Sequence, residues 1–475
     1  MTGRRAANES LRALLATAGW TYEALARNVN ALGAENGMRL RYDRTSVAHW
    51  LAGSVPRPRT RELIAEAFSR RLCRPVTLAE LGMGCPAGPG APGAAGPWGE
   101  ATAAERGDAV AHLAELCGAD ADPARRNLVQ ESVCSAAGFE VPRWEERRGR
   151  GPGERTGGGA PGGEEDTANL RAAVEFFRRA GDFGGRHART ALVVYLRDDV
   201  VPRLHGGGPG GAPPRLLAEA ARLVHVLGRM YVDDVRNGAA QSYHRAALRL
   251  AAEAGDRTVY AAVLRAMSEH ALEVGHRRAA LRLAEAAVRT ASADTPAHDR
   301  ALLLAQLALA QAATGDGEGA AATLAEAERH RVPAPGAALR GTALPSSRAS
   351  FAHCRGRALA ALGDRAAAVA ALRSSVEHHP ATAHLCRALI HAELARLLLA
   401  DGRLEEACTA WHRFLDDYPH LRSGRADRAL AELRGNLRAH AAHPPARALL
   451  CRADAAGRHE GPWRSRAQHV QHGGV

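Results

Sequence analysis

The sequence predicts an all-α protein. Hydrophobic residues make up 46% of the 475 residues but aromatic residues only 4%, and alanine, leucine and arginine dominate. This composition suits helices that pack through small side chains better than sheets, which favour aromatic and β-branched residues. Apolar residues recur at helical spacing near the N-terminus, and small residues recur in a fixed phase in the second half. A chain of this length has room for about two to four domains.

Glycine- and proline-rich stretches divide the chain. Residues 84–100, 146–165 and 206–214 carry too few apolar side chains to offset the entropy of ordering them, so they are predicted to be linkers or loops. The resulting organisation is a helical domain at 8–83, a flexible linker at 84–100, a small helical segment at 101–145, a low-complexity linker at 146–169, a helical repeat domain at 170–440 and a disordered tail at 441–475.

Five short helices are predicted in the N-terminal domain. Leu11, Leu14 and Leu15 stand at helical spacing, and Gly19 follows as a stop signal. Thr21 is placed to cap a second helix. The remaining signals are Asp43 as the cap of a third helix at 44–51, Gly53 as its end, Pro56 and Pro58 before a fourth helix, and a short capped fifth helix at 77–81.

The third predicted helix has one apolar and one polar face. Val47, Trp50 and Leu51 form its buried stripe. The opposite face carries small residues that allow a close approach to a groove, together with hydrogen-bonding groups. Candidate DNA-contacting residues on this helix and in the connection before it are Arg44, Thr45, Ser46, His49, Arg39 and Arg41.

This domain resembles the Cro/C1-type, or xenobiotic-response-element, family of helix-turn-helix regulators. The matching residues are Leu11, Gly19, Thr21, Leu25, Ala26, Ser46, Val47, Trp50, Gly53, Pro58, Leu63, Ile64, Ala65 and Leu78. The resemblance implies binding to duplex DNA as a homodimer on paired half-sites. The connection is unusual, because residues 30–42 are either an extension of helix two or an inserted loop. Either this loop carries phosphate contacts through Arg39 and Arg41, or the geometry has drifted and DNA binding is lost.

The second half of the chain is predicted to be a repeat array. Residues 227–231 read Leu-Gly-Arg-Met-Tyr and fit the Leu-Gly-x-x-Tyr signature of the tetratricopeptide repeat. The array is phased by small residues at Ala240, Ala280, Ala320, Ala368 and Ala407, with Gly275, Gly315, Gly363 and Gly402 five residues before the last four. The resemblance implies an α-solenoid whose groove binds a peptide, a protein or a small effector. Polar residues that we expect to line this groove are Tyr231, Gln241, His244, Arg265, His270 and Gln306.

Charge and side-chain chemistry narrow the range of functions that the sequence allows. The formal net charge is +12, and residues 1–83 alone hold 13 Arg against 7 Asp and Glu. The chain has no lysine, so a biased genome accounts for part of the arginine excess. The eight cysteines are scattered, and the His384–Cys386–His391 spacing is a weak metal signal on a helix. No phosphate loop, dinucleotide fingerprint or nucleophile elbow is present. We expect a cytoplasmic, membrane-free protein that is not an enzyme and has no cofactor.

Taken as a whole, the chain is similar to actinobacterial regulators that join a helix-turn-helix domain to tetratricopeptide repeats. Residues 241–251, followed by Ala254, Gly255 and Asp256, carry this likeness most clearly. It implies a transcription regulator whose repeats sense a ligand and set the oligomeric state. Two other interpretations stay open: a repeat scaffold whose degenerate helix-turn-helix does not bind DNA, and a small-molecule-responsive or enzymatic role.

Overall fold

The computed structural model describes residues 7–36, 38–72, 74–83, 108–141, 163–206, 212–292, 295–330 and 348–458. The regular elements found in these ranges are helices, and no strand occurs within them. The predicted linker at 84–100 and most of the one at 146–169 lie outside the described residues. The chain divides into two compact units, Met1–Arg178 with Ala188–Ser346, and Arg179–His187 with Ser347–Val475.

The N-terminal domain contains four helices, and their ends fall where the sequence signals place them. The helices are α1 (Glu9–Ala18), α2 (Tyr22–Glu35), α3 (Arg44–Leu51) and α4 (Pro58–Leu72). Gly19 adopts a left-handed conformation after α1, and the Thr21 hydroxyl accepts the Ala24 amide at the start of α2. Trp50 is 5% exposed. Trp20 packs on Phe68 with ring centroids 5.3 Å apart, which adds an aromatic contact to the core.

The fifth helix predicted at 77–81 is a single turn. The Thr77 hydroxyl accepts the Glu80 amide, and the Glu80 carboxylate accepts the Thr77 amide, so the capping signal in the sequence is used. The turn then ends at once, because Gly82 takes the left-handed conformation with φ +65°. The Asn8 side-chain amide donates to the Leu81 carbonyl and fixes the turn to the start of α1.

The segment predicted at 101–145 is not a separate domain. Its helices α5 (Ala109–Ala121) and α6 (Arg126–Gln130) contribute to the same core as the repeats. The buried Asp120 carboxylate explains the attachment, since it accepts the hydroxyls of Tyr231 and Tyr243 and the side-chain amide of Gln130. Burial raises the pKa of both tyrosines well above its ordinary value, so each hydroxyl keeps the proton that it donates.

One further helical pair precedes the repeats. Helix α7 (Gly163–Ala180) begins inside the stretch predicted as a linker at 146–169, and its apolar face is formed by Leu170, Val174 and Phe177, which follow that stretch. The second member starts as α8 (Arg189–Tyr195), passes through a π-helical turn at Leu196–Val200 and ends as α9 (Val201–His205).

Five helical hairpins follow in the predicted phase. Their helices are α10 (Pro214–Asp233) with α11 (Asn237–Ala254), α12 (Arg257–Glu273) with α13 (Arg277–Thr290), α14 (Ala297–Thr314) with α15 (Gly317–Arg329), α16 (Arg348–Leu362) with α17 (Arg365–His378), and α18 (His384–Ala400) with α19 (Leu404–Asp417). The first three hairpins belong to the first unit and the last two to the second. All five phasing alanines are fully buried, as close packing of paired helices requires.

The turns inside the hairpins need a left-handed residue. Gly275, Gly315, Gly363 and Gly402 supply it with φ between +74° and +92°. In the first hairpin, Val235 occupies the corresponding position with φ +61°, and it is the one described non-glycine residue with positive φ. A β-branched side chain in this region is strained. The first hairpin therefore carries a local cost that the other four avoid.

The polar residues expected to line an open groove are buried instead. Their exposed fractions are 0% for Tyr231, 5% for Gln241, 0% for His244, 4% for Arg265, 1% for His270 and 1% for Gln306. The reason is that neighbouring elements cover them; for example, Gln306 donates to the buried Ser268 hydroxyl at 3.0 Å. Burial, with Arg229 and Arg265 nearby, lowers the pKa of His225 to about 3, so this imidazole is neutral at physiological pH.

The second unit extends further than predicted. Its two hairpins are followed by α20 (Gly424–Leu437) and α21 (Pro444–Arg458), and Trp411 and Phe414 lie in its core. Helix α21 falls in the tail that we expected to be disordered; Ala446, Leu449 and Ala453 give it an apolar stripe that is fully buried. Residues 459–475 of that tail lie outside the described part of the chain.

Two further properties of the described residues are their suitability for crossing a membrane and the state of their cysteines. Within the described ranges, no helix combines the length and the apolar character needed to cross a bilayer. Six described cysteines are free thiols, and four of them (Cys117, Cys134, Cys354 and Cys408) are buried. Burial raises the pKa of the Cys117 and Cys134 thiols. These two side chains act as small apolar core residues.

Candidate nucleic-acid interface

Helix α3 exposes the face that the sequence predicts. Thr45, Ala48 and His49 are exposed, whereas Val47 and Trp50 on the opposite face are buried. The exposed face has one hydroxyl, one imidazole and a small side chain between them. Such a face allows a helix to approach a groove closely and to offer hydrogen bonds to base edges.

The side chains in the first turn of α3 are less available for contacts with DNA than predicted. Asp43 caps the helix, and the Ser46 hydroxyl donates to the Asp43 carboxylate at 2.8 Å. Hydrogen bonds from the Ser46 amide and hydroxyl lower the pKa of Asp43, so the cap is a carboxylate at neutral pH. Arg44 lies 3.6 Å from the exposed Glu23 carboxylate. Of the candidate residues, Ser46 is committed to the cap and Arg44 to a weak surface ion pair.

The connection before α3 combines both forms that the sequence allowed. Helix α2 continues to Glu35, so the first part of residues 30–42 is helical. Residues 38–43 are then extended without regular structure, and their exposure alternates. Met38, Leu40 and Tyr42 face the core, whereas Arg39 and Arg41 are exposed. Alternation with a period of two places the two guanidinium groups on the same side of the connection.

Side-chain hydrogen bonds hold this connection in place. The Asn30 side chain donates to the Tyr42 carbonyl at 2.8 Å and accepts the Tyr42 amide at 2.9 Å. The Tyr42 ring meets Trp50 edge-on with centroids 5.1 Å apart, and its hydroxyl lies 3.0 Å from the Thr60 hydroxyl. The two outward arginines are therefore attached to a fixed backbone rather than to a free loop.

Part of the positive charge of this domain is unpaired in the described ranges. Arg27, Arg39, Arg41 and Arg57 are exposed, and none forms an ion pair with a carboxylate in the described ranges. Arg27 was not among the site residues predicted from the sequence. The sequence signal for Arg27 was its position on the exposed side of α2, since Leu25, Ala26 and Val29 face inward.

Helix α4 of the same domain holds a residue that sequence reasoning missed. Glu66 of α4 is 2% exposed and lies 2.7 Å from His276 Nε2 and 2.9 Å from Arg70 Nε. It also accepts the Ala136 amide at 2.9 Å. The signal was its position three residues after the core residue Leu63, since a carboxylate on an apolar stripe must find buried partners.

Comparisons with known proteins match two parts of the chain. Residues 11–84 match the model of the SP15 N-terminal domain, and residues 393–420, in α18, α19 and the turn after them, match the tetratricopeptide repeat model. The chain contains a tetratricopeptide repeat. No helix-turn-helix family matches the N-terminus, and no curated protein matches the chain.

A solved structure, BtubC (BKLC) from P. vanneervenii, is similar at 17% identity, with a TM-score of 0.30, over 57% of this chain and 92% of that one. A likeness this low supports no argument about fold or function. What the comparisons support is the tetratricopeptide repeat match at residues 393–420, a kind of repeat that suggests protein–protein interaction.

Proposed function

We propose that this protein is a DNA-binding transcriptional regulator, not an enzyme, whose Cro/C1-like N-terminal domain contacts duplex DNA through α3 and residues 38–43. The helical repeats bind a peptide, a protein or a small effector and set the oligomeric state. A homodimer places two copies of α3 on half-sites about one helical turn apart, or about 34 Å. This function locates the protein in the cytoplasm, at the nucleoid when DNA is bound.

One observation carries the proposal. The exposed Thr45, Ala48 and His49 face of α3 directly follows a fixed extended segment on which Arg39 and Arg41 point outward without ion-pair partners in the described ranges. Phosphates attract such arginines, and counterion release gives the affinity. The α3 face then supplies the hydrogen bonds that distinguish base pairs.

The experiment is a selection from random-sequence DNA with the full-length protein, followed by titration of the selected duplex at several salt concentrations. We expect an enriched motif and an affinity that falls linearly with salt on a double-logarithmic scale. Replacing Thr45→Ala and His49→Ala together should reduce the preference for the motif by at least about tenfold. Binding to unrelated DNA should change much less.

A matched control keeps the test specific. Thr17→Ala with His378→Ala removes the same two side-chain types from exposed positions outside α3 and should leave the motif preference unchanged. If the selection returns no motif, or if the control pair behaves like the α3 pair, the assignment of this surface to DNA recognition is wrong.

A second candidate is a repeat scaffold that acts through protein contacts alone. The tetratricopeptide match at 393–420 favours it, and so does the use of Ser46 as a cap partner rather than as a free hydroxyl. For this function, affinity purification recovers a partner in stoichiometric amount while the DNA selection returns no motif. The two outcomes together separate the candidates.

A further inference from the structure

Residues 131–141, the bridging segment, lie between the N-terminal domain and the first two repeat hairpins. The segment follows α6 and has little regular structure beyond one 3-10 turn at Ala137–Phe139. Val133 packs against the core of the N-terminal domain, whereas Cys134 and Phe139 belong to the core of the repeats. A largely irregular segment with one 3-10 turn thus contacts two folded bodies of the same unit.

The repeats hold the bridging segment by its backbone. The Ser135 amide donates to Gln241 Oε1 at 3.1 Å, and Gln241 Nε2 donates to the Ser135 carbonyl at 2.9 Å. A two-point contact of this kind binds any extended peptide, whatever its side chain at that position. Two glycines allow the segment and α11 to approach each other closely. A Cβ at Gly138 would lie about 2 Å from the Gln241 side chain, and a Cβ at Gly238 would lie about 2 Å from the Ser132 carbonyl.

A buried aromatic side chain anchors the segment. Phe139 is fully buried, and its ring centroid lies 5.4 Å from those of both His270 and His276. The pocket belongs to the repeats, since His270 Nε2 lies 3.1 Å from the Asn237 side-chain oxygen at the start of α11. An aromatic group seated in a pocket and flanked by a backbone clamp is the usual pattern of a peptide anchor.

The N-terminal domain holds the other side of the segment. The Ala136 amide donates to the Glu66 carboxylate, which also faces His276 and Arg70. Arg59 reaches the Glu131 carboxylate and the Asn127 carbonyl. Displacement of the segment from the repeats would therefore remove contacts to α4 as well.

We propose that the surface formed by Asn237, Gln241, His270 and His276 is a peptide-binding site that the chain closes with its own residues 131–141. An external peptide of the same chemistry, a run of small residues that ends in a 3-10 turn with glycine and an aromatic residue, competes for this site. Its binding breaks the contact between Ala136 and Glu66 and loosens α4. The inference rests on the ligand-binding half of the proposed function and uses no DNA contact.

The test measures binding of a labelled synthetic peptide, residues 131–141, to full-length protein under reducing conditions. We expect weak binding to the wild type, whose site is filled, and binding at least about tenfold tighter to the Phe139→Ala protein, whose own anchor is gone. Adding Gln241→Ala to that protein should return the affinity to the wild-type level. A peptide carrying the same Phe→Ala change should not bind.

Controls separate displacement from loss of structure. Phe177→Ala removes another buried phenylalanine of the same unit and should not increase peptide binding. If Phe139→Ala does not fold, Ser135→Pro removes the amide that Gln241 accepts and keeps the anchor. Hydrogen exchange of the wild type supplies a measurement without mutation: the Ser135 and Ala136 amides should exchange faster than those in the middle of α11.

Two results would overturn the proposal. One is a folded Phe139→Ala protein that binds the peptide no more tightly than the wild type does. The other is exchange of Ser135 and Ala136 only together with α11, which would make the bridging segment a permanent part of the core. Failure of DNA binding would leave all of these outcomes unaffected.

Discussion

The N-terminal domain has two sides that differ in how their polar groups are paired. On the α4 side, Glu66, Arg59 and Arg70 all contact partners in the same unit, and Glu66 is almost completely buried. On the α3 side, Arg39 and Arg41 are exposed and have no ion pair in the described ranges. One side is closed by the protein itself, and the other is open to an anionic partner.

This difference in pairing is more informative about a binding surface than the net charge is. A genome rich in arginine codons raises the number of arginines throughout the chain, so a net charge of +12 cannot by itself identify a binding surface. Pairing adds information about individual residues, because a structural arginine finds a carboxylate or a carbonyl within its own fold, whereas a phosphate-binding arginine must stay available. The comparison between the two sides therefore selects Arg39 and Arg41 as the candidates to test for phosphate contacts.

The largest expected effect is on the closed side. Glu66→Ala removes the carboxylate that faces His276 and accepts the Ala136 amide. The His276 imidazole and the Ala136 amide then stay buried without this partner. We expect a loss of about 3 kcal/mol or more in the stability of the first unit. Native-state hydrogen exchange of α4 amides measures it. Glu23→Ala is the control, since Glu23 is half exposed and its ion pair is weak; an equal loss in both variants would show that the α4 side is not specially closed.

The next effect is on the open side. Replacing Arg39→Ala and Arg41→Ala together should leave stability within about 0.5 kcal/mol, because neither side chain has an ion-pair partner in the described ranges. Affinity for DNA should fall about tenfold or more, and the salt dependence should weaken by roughly two phosphate contacts. Titration of one duplex at several salt concentrations measures both quantities.

The control for this pair is Arg289→Ala, an exposed arginine of α13 with a loose ion pair to Glu285. Its removal should change neither the affinity nor the salt dependence of DNA binding. A drop in affinity with Arg289→Ala equal to that with the pair would reduce the α3 side to one part of a diffuse positive surface.

A smaller effect is expected where the open side is attached to the core. Asn30→Ala removes both hydrogen bonds to the Tyr42 backbone and should cost roughly 1–2 kcal/mol, with a matching decrease in DNA affinity. Asn28→Ala on the same helix is the control, since the Asn28 side chain bonds only to the Ala24 carbonyl one turn away. If the two variants bind DNA equally, the position of the connection does not matter for binding.

Local signals made the N-terminal helices predictable from sequence. Thr21, Asp43, Gly19 and Gly53 act over a few residues, so their caps and stops are visible without knowledge of the fold. The same holds for the hairpins, because a small residue is needed at each crossing of paired helices. The long connection before α3 was ambiguous, since both a helix extension and a loop satisfied its local pattern.

Long-range pairing explains what the sequence could not show. Gln241 and His270 look like surface residues of an amphipathic helix until the bridging segment, more than a hundred positions earlier for Gln241, covers them. Glu66 likewise has its partners on two distant segments. Helix α21 was missed for a compositional reason: its arginines and prolines outweighed the short stripe of Ala446, Leu449 and Ala453.

The last prediction concerns the first hairpin, whose helix α11 contacts the bridging segment. Val235 holds a left-handed φ of +61° in the turn just before the helix that carries Gln241. Val235→Gly should stabilise the first unit by about 1 kcal/mol, because the steric cost of this conformation exceeds the entropy that glycine adds to the unfolded chain. Gly275→Val is the reciprocal control: no other atom lies within 4 Å of the added Cβ, so a loss of similar size would reflect backbone strain alone. DNA binding should be unchanged in both variants, since neither touches the α3 side. A Val235→Gly protein with unchanged or lower stability would mean that valine's packing in this turn outweighs its strain, and that the first hairpin is relaxed where it meets the bridging segment.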